Sequence, residues 1–167
     1  MGRLSKPRRR SLRLPTFDYS QSGAYFVTIC SIKKKCIFGA IIDMEMQLNE
    51  NGKIVEASWK EIEKHFPTVK LDQFIVMPNH LHGIIILQPA CPEVGIKAVS
   101  LSTIIGLFKS NSAKRINELR GTTGAGVWQR SFYEHIIRNQ ESLDEIRQYI
   151  ANNPYNWPQD PENPIQV

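Results

Sequence analysis

An α+β fold, one antiparallel β-sheet with helices packed on one face, is what three features of this 167-residue sequence predict. Runs of β-branched and aromatic residues alternate with segments whose apolar residues recur at the helical period. Two of the strand runs are joined only by Pro78 and Asn79, close enough for an antiparallel hairpin. Each helical segment carries a single apolar stripe, so each has one face to bury. The length suits one domain with a real core and falls short of what a (β/α)8 barrel needs.

The first strand is Ala24 to Ser31, aromatic and β-branched throughout, and reads as a central one. Lys33, Lys34 and Lys35 make a charged turn, and Ile37 to Leu48 suggests a second strand or a small hairpin. Asn49 or Asn51 caps a helix with Val55, Trp59, Ile62 and Phe66 inward, and Pro67 stops it. The strand Leu71 to Met77 follows, then the strand beginning at His80, whose Ile84-Ile85-Ile86 run fits burial on both faces. Gln88 to Val99 is a loop. Ser100 or Ser102 caps a helix with Leu101, Ile104, Ile105, Phe108, Ile116 and Leu119 on its stripe. Gly121 to Gly126 is a flexible connection without the Lys-Ser/Thr ending of a phosphate loop. Ser131 to Arg138 is the last strand, and Asn139 caps a final helix with Leu143, Ile146 and Ile150 inward. Pro154 ends that helix, and Pro158, Pro161 and Pro164 predict an extended tail. This order of elements is ferredoxin-like. The expected organisation is a basic disordered arm over 1–16, a folded domain over 17–157 and a Pro-rich tail over 158–167.

Charge is placed unevenly. The net charge of +5 comes from the first 14 residues, which hold Arg3, Lys6, Arg8, Arg9, Arg10 and Arg13 and no acid; the remainder has 15 basic and 16 acidic residues. Such an arm is either a solvated tail or a phosphate contact that gains affinity by releasing counterions. No apolar run reaches the ~20 residues of a membrane span, and the N-terminus is too basic for a secretory signal, so no membrane partner and a cytoplasmic, nucleoid-associated location are expected. Cys30, Cys36 and Cys91 are odd in number and lack metal-site spacing, which argues against a disulfide frame or a thiolate zinc site.

Chemistry concentrates at His80 and His82. Side chains alternate across a strand, so both imidazoles point to one face and Leu81 to the other. That is a bidentate pair for a divalent metal, or else two polar residues on a solvated face. On the final helix Tyr149 and Asn153 are four apart and share a face; an Asn carbonyl can complete a coordination shell while the phenol projects beside it. Glu145, also four from Tyr149, is the competing third ligand. A phenol with a pKa near 10 is only about 0.1% ionised at pH 7, so as a nucleophile it needs a polarised electrophile, and a phosphodiester beside a metal supplies one.

Four motifs stand in order: Met77-Pro78-Asn79-His80-Leu81-His82, Trp128-Gln129-Arg130, Tyr133-Glu134-His135-Ile136-Ile137-Arg138, and Tyr149-Ile150-Ala151-Asn152-Asn153-Pro154. Together they resemble the single-tyrosine HUH transposases, in particular the REP-associated branch, over about 23–157. The resemblance implies a metal-dependent endonuclease and strand transferase acting on single-stranded or hairpin DNA. It implies that His80, His82 and Asn153 bind Mg²⁺ or Mn²⁺, that Tyr149 attacks the scissile phosphate to give a 5′-phosphotyrosine link, and that no nucleotide cofactor is used. Tyr133 is the rival nucleophile. Arg8, Arg9 and Arg10 of the arm, Lys109 and Arg115 of the long helix, and Arg130, His135 and Arg138 of the motifs are the candidate DNA contacts. His135 alternatively serves as a core histidine, and Lys109 and Arg115 as a solvated helix face. Monomer and homodimer both fit. Two other functions fit the same residues: a catalytically silent single-strand-binding module that stacks bases on Tyr25, Phe26 or Tyr133, and a metallohydrolase that activates water.

Overall fold

The computed structural model describes Asp18 and residues 20–164. Arg8, Arg9 and Arg10 therefore lie outside the described residues. Strand β1 (Gly23–Cys30) is an inner strand, as its aromatic and β-branched run predicts. The segment after it forms a separate hairpin of β2 (Gly39–Ile42) and β3 (Glu45–Leu48). Its turn residues Asp43 and Met44 are both at positive φ, the backbone of a two-residue I′ turn. Strands β4 (Val69–Val76), β5 (His80–Leu87) and β6 (Tyr133–Ile137) complete the main sheet. Its spatial order is β4-β5-β1-β6, and every pairing is antiparallel.

Helix α1 (Glu50–Lys60) starts at Asn49, whose side chain accepts from the Gly52 N–H at 3.0 Å. The expected single helix to Phe66 instead bends at Glu61 into a separate turn, α2 (Ile62–His65). Helix α3 (Leu101–Arg120) is capped by Ser100 and ended by Gly121 in the left-handed region at φ 66°. Its apolar stripe stops at Ile116, because Leu119, expected inward, is 55% exposed. Helix α4 (Gln140–Ala151) is capped by Asn139, which accepts from the Ser142 N–H at 2.8 Å.

Alternation along β1 and β5 sorts the core into two layers. Tyr25, Val27, Ile29, Leu81 and Ile85 meet Val55, Trp59, Ile104 and Phe108 of α1 and α3, so these helices pack together on one face. Phe26 and Ile84 face the other way, where Ile150 with Leu143 and Ile146 lays α4 across the sheet. Beyond α4 the Pro-rich tail is not extended as expected. Pro158, whose fixed φ suits the start of a helical turn, sits in the 3₁₀ turn Trp157–Gln159, and the chain folds back to bury Asp160 and Asn163.

Two contacts set how these layers meet. Gly83 faces the fully buried Trp59, and a Cβ at that position would run into the indole ring. Pairing of β4 with β5 is irregular between Leu71 and Phe74, and Asp72 in that stretch accepts a two-pronged bond from Arg147 of α4, at 2.9 and 2.6 Å. Arg147 thereby ties the last helix to the sheet edge.

Gly83→Ala is expected to cost about 1–3 kcal/mol by overpacking, seen as a melting temperature lowered by roughly 2–4 °C per kcal/mol. The Arg147 guanidinium holds the Asp72 carboxyl below its ordinary 3.8. A carboxyl whose folded value is depressed stabilises the fold above its unfolded value, and that contribution disappears as pH falls through the folded one. Arg147→Ala should therefore melt slightly lower than the parent at pH 7, and thermal melts followed below pH 3.8 should show the two curves converging.

Candidate active site

His80 and His82 project from the start of β5 onto the face covered by α4 and the tail, and both are almost fully buried. Their Nε2 atoms are 3.0 Å apart. The outer nitrogens are each held by a neighbour. Asn79 donates its amide hydrogens to the carbonyls of Glu162 (2.7 Å) and Lys34 (3.1 Å), which leaves its Oδ1 facing His80 Nδ1 at 2.8 Å. His80 Nδ1 must then carry the hydrogen, and its Nε2 presents a lone pair. His82 Nδ1 lies 2.8 Å from the Thr28 hydroxyl, which can donate or accept. When Thr28 donates, His82 carries its hydrogen on Nε2 and gives it to His80. When Thr28 accepts instead, that hydrogen sits on His82 Nδ1 and both Nε2 lone pairs aim at one point. Burial, the dominant cause, pulls both imidazoles down to about 3, so they are neutral ligands at ordinary pH.

A carboxylate completes the group. Asp160 of the refolded tail is 4% exposed, with Oδ2 at 3.8 Å from His80 Nε2, and the ligand atoms of His80, His82 and Asp160 lie within 4.8 Å of one another. Asn153 donates to Asp160 Oδ2 at 2.9 Å, and its own Oδ1 is buried without a hydrogen-bond partner. The Asn153 oxygen, buried without a partner beside this carboxylate, is costly unless a cation satisfies it. The His80, His82 and Asp160 donors fit a divalent metal: two nitrogens and a carboxylate oxygen, a harder set than the histidines and amide expected from sequence. Glu145, the alternative acid, is exposed on α4 and outside this group.

Tyr149 is half-exposed at the edge of the cluster. Its Oη is 3.5 Å from His82 Nε2, and its ring stands edge-on to Phe26, with centroids 6.1 Å apart. Phe26 itself stacks on His82 at 5.3 Å. Partial burial raises the phenol above its usual 10, with the charges of Asp160 and Glu162 adding to the rise, so it is held protonated. Tyr133, the rival, also packs edge-on against Phe26, at 6.4 Å, but sits on β6 on the far side of that ring.

The remaining sequence candidates are dispersed. His135 is exposed on the same face as Tyr133, opposite Phe26 in register, and is not a core histidine. Arg130 and Arg138 are exposed beside β6. Lys109 and Arg115 belong to α3, on the opposite face of the sheet from the histidines. Lys109 Nζ donates to the carbonyls of Gln129 and Ser131 at 2.9 and 3.1 Å, and Arg115 bonds Ser58 and Glu61 of the α1 segment at 3.2 and 3.0 Å. Both link parts of the fold. Trp128 is likewise structural: it packs on Phe38 and Phe108 and donates to Ser112 at 2.9 Å. Asp160, a lone acid among prolines, carries no spacing signal in the sequence; Trp157-Pro158 as the start of a turn is the available cue. Cys30 is free and donates to Glu162 at 3.3 Å; burial and Glu162 push its thiol up to about 12, far from a metal-binding thiolate.

A sheet presenting a buried His-x-His pair to a helix-borne tyrosine defines an HUH-type, transposase-like architecture. The family model described as "Transposase IS200 like" matches residues 25–153. The chain belongs to that family, the single-tyrosine HUH transposases that include the REP-associated branch. A Haemophilus influenzae protein named "Uncharacterized protein" is 41% identical over 169 residues, with 91% of each chain covered. A second protein from that organism, named "Putative REP-associated tyrosine transposase", is 26% identical over 140 residues, covering 82% of this chain and 73% of its own. In fold, the chain is similar to the solved "REP associates tyrosine transposase bound to a REP hairpin", with a TM-score of 0.61 at 19% identity, covering 92% of this chain and 74% of that one. Among the described residues no helix is long and apolar enough to cross a membrane.

Titration calorimetry with Mn²⁺ checks the cluster. His80→Ala or His82→Ala should abolish binding, and Asp160→Asn or Asn153→Ala should weaken it about 10–100-fold. Glu145→Gln should leave it unchanged.

Proposed function

We propose that this chain is a metal-dependent single-stranded DNA endonuclease and strand transferase, acting on hairpin-bearing DNA through a 5′-phosphotyrosine intermediate. The observation that carries the reading is the approach of the Tyr149 oxygen to within 3.5 Å of His82 beside a buried divalent-ligand cluster. His80, His82 and Asn153, with Asp160, would hold Mg²⁺ or Mn²⁺. A bound ion at that position supplies Lewis-acid polarisation of a phosphoryl oxygen and orients the phosphate.

The chain's own residues do the rest. Tyr149 Oη bonds to phosphorus as the P–O3′ bond breaks; the phenol gives up its proton and the departing 3′-oxygen takes one up, leaving a 3′-OH. The phosphodiester energy is retained in the tyrosine ester, so a 3′-OH can attack in reverse, restore the phenol and join a strand without a nucleotide cofactor. Phe26 and His82 flank the phenol ring and fix its direction. The Asp72–Arg147 fork holds the helix that carries it. Arg130, His135 and Arg138, exposed on the β6 side, and Arg8, Arg9 and Arg10 of the arm are the proposed DNA contacts. The REP hairpin bound by the solved transposase of similar fold supports hairpin DNA as the substrate.

Incubation with end-labelled, hairpin-bearing single-stranded DNA and Mn²⁺ should give an adduct that survives denaturation. Tyr149→Phe should form none, a loss of at least about 10³-fold, while keeping Mn²⁺ affinity. An adduct undiminished in that variant would remove Tyr149 from its role, and cleaved DNA free of protein would favour water as the nucleophile.

A further inference from the structure

Between β1, β6 and α4 lies a groove of about 270 Å³ lined by Phe26, Tyr133, His135, Ser142, Glu145 and Ile146. None of these side chains is taken up by the metal cluster. Three kinds of chemistry meet in it. Phe26 and Tyr133 supply aromatic walls and Ile146 an apolar one, the surroundings in which a nucleobase stacks. Glu145 supplies two acceptor oxygens and no donor. Ser142 and His135 supply hydroxyl and ring N–H donors.

We infer that this groove is a base-binding site selective for guanine, taking the base of an unpaired nucleotide next to the scissile phosphate. The inference rests on the DNA reading above and adds the identity of one base. A carboxylate facing a base edge requires two adjacent donors to satisfy both oxygens. Guanine presents N1–H and N2–H₂ side by side, with O6 beside them to accept from Ser142 or His135. Cytosine and adenine offer a single exocyclic amine flanked by an acceptor, and thymine a single N–H between two carbonyls. Each of these leaves a Glu145 oxygen unpaired or against a carbonyl, and the groove rejects it for that reason. Position follows from the rings: Phe26 packs on His82 and Tyr149 and also lines the groove. A base seated there is therefore one ring away from the reacting phosphate, the separation of neighbouring groups on a single strand. Tyr133, set aside as a nucleophile, gains a role as a stacking wall.

The test is binding without chemistry: fluorescence anisotropy of the full chain in EDTA with fluorescein-labelled dT12 and with three oligonucleotides in which one central dT is replaced by dG, dA or dC. The dG oligonucleotide should bind about 10-fold more tightly than the others, the low end of what a two-bond base contact discriminates. Glu145→Gln should bring all four within about 2-fold of one another, and Tyr133→Ala should weaken the dG oligonucleotide about 10-fold while changing the other three less. Both residues are exposed, so the fold survives either change. Equal affinities in the parent, preference for another base, or a dG preference that survives Glu145→Gln would overturn the inference. Failure of every oligonucleotide to bind would overturn the DNA reading and this proposal together. A dG preference without any tyrosine adduct would sustain this site while removing the nuclease.

Discussion

Two imidazole nitrogens held 3.0 Å apart in a site closed to water are the constraint around which the molecule is built. Burial keeps both rings neutral, and the two Nε2 atoms face each other with one hydrogen between them when Thr28 donates and with two lone pairs when it accepts. Such a pair is relieved by sharing a proton or by a cation. The buried Asp160 carboxylate and the unpartnered Asn153 oxygen tilt that balance toward a cation.

Each layer of the fold serves that arrangement. Strand alternation puts the histidines on one face and hands Leu81 to the core. Gly83 lets Trp59 press against the same strand from behind, so β5 is backed by packed aromatic volume where its ligands emerge. The cap at Asn139 starts α4, and its apolar stripe seats the helix on Phe26 and Ile84. Tyr149 then falls at the edge of the cluster and Asn153 at its floor. The tail closes the last side, held by Asn79 and by the Lys34–Glu162 ion pair at 2.8 Å. A residue two positions from Glu162 thus becomes part of the site, although nothing local in the sequence requires it.

What the sequence disclosed and what it hid divide along physical lines. Strand runs, helix caps and the His-x-His face are local, period-based properties, so β1, β5, the Asn49, Ser100 and Asn139 caps and the shared direction of His80 and His82 were legible. The four ordered motifs point to the family because they set paired histidines, a strand and a helix-borne tyrosine in one order. The bend at Glu61, the outward turn of Leu119 and the fold-back of 155–164 depend on tertiary contacts that no local pattern encodes. Proline spacing suggested an extended tail because proline removes hydrogen bonds, whereas here Pro158 helps start a turn that buries Asp160. Lys109 and Arg115 looked available as surface cations; partners on Gln129, Ser131, Ser58 and Glu61 became visible only in three dimensions.

The central claim is that the phenol on α4 becomes bonded to DNA at this cluster. Its most direct measurement is mass spectrometry of the trapped protein–DNA complex after nuclease and trypsin digestion, with fragmentation to the modified residue. The account predicts a nucleotide-bearing peptide spanning 148–167, with the added mass on Tyr149 and not on Tyr155. The mass appearing instead on Tyr133 in the 131–138 peptide, or cleaved DNA with every tyrosine unmodified, would contradict it.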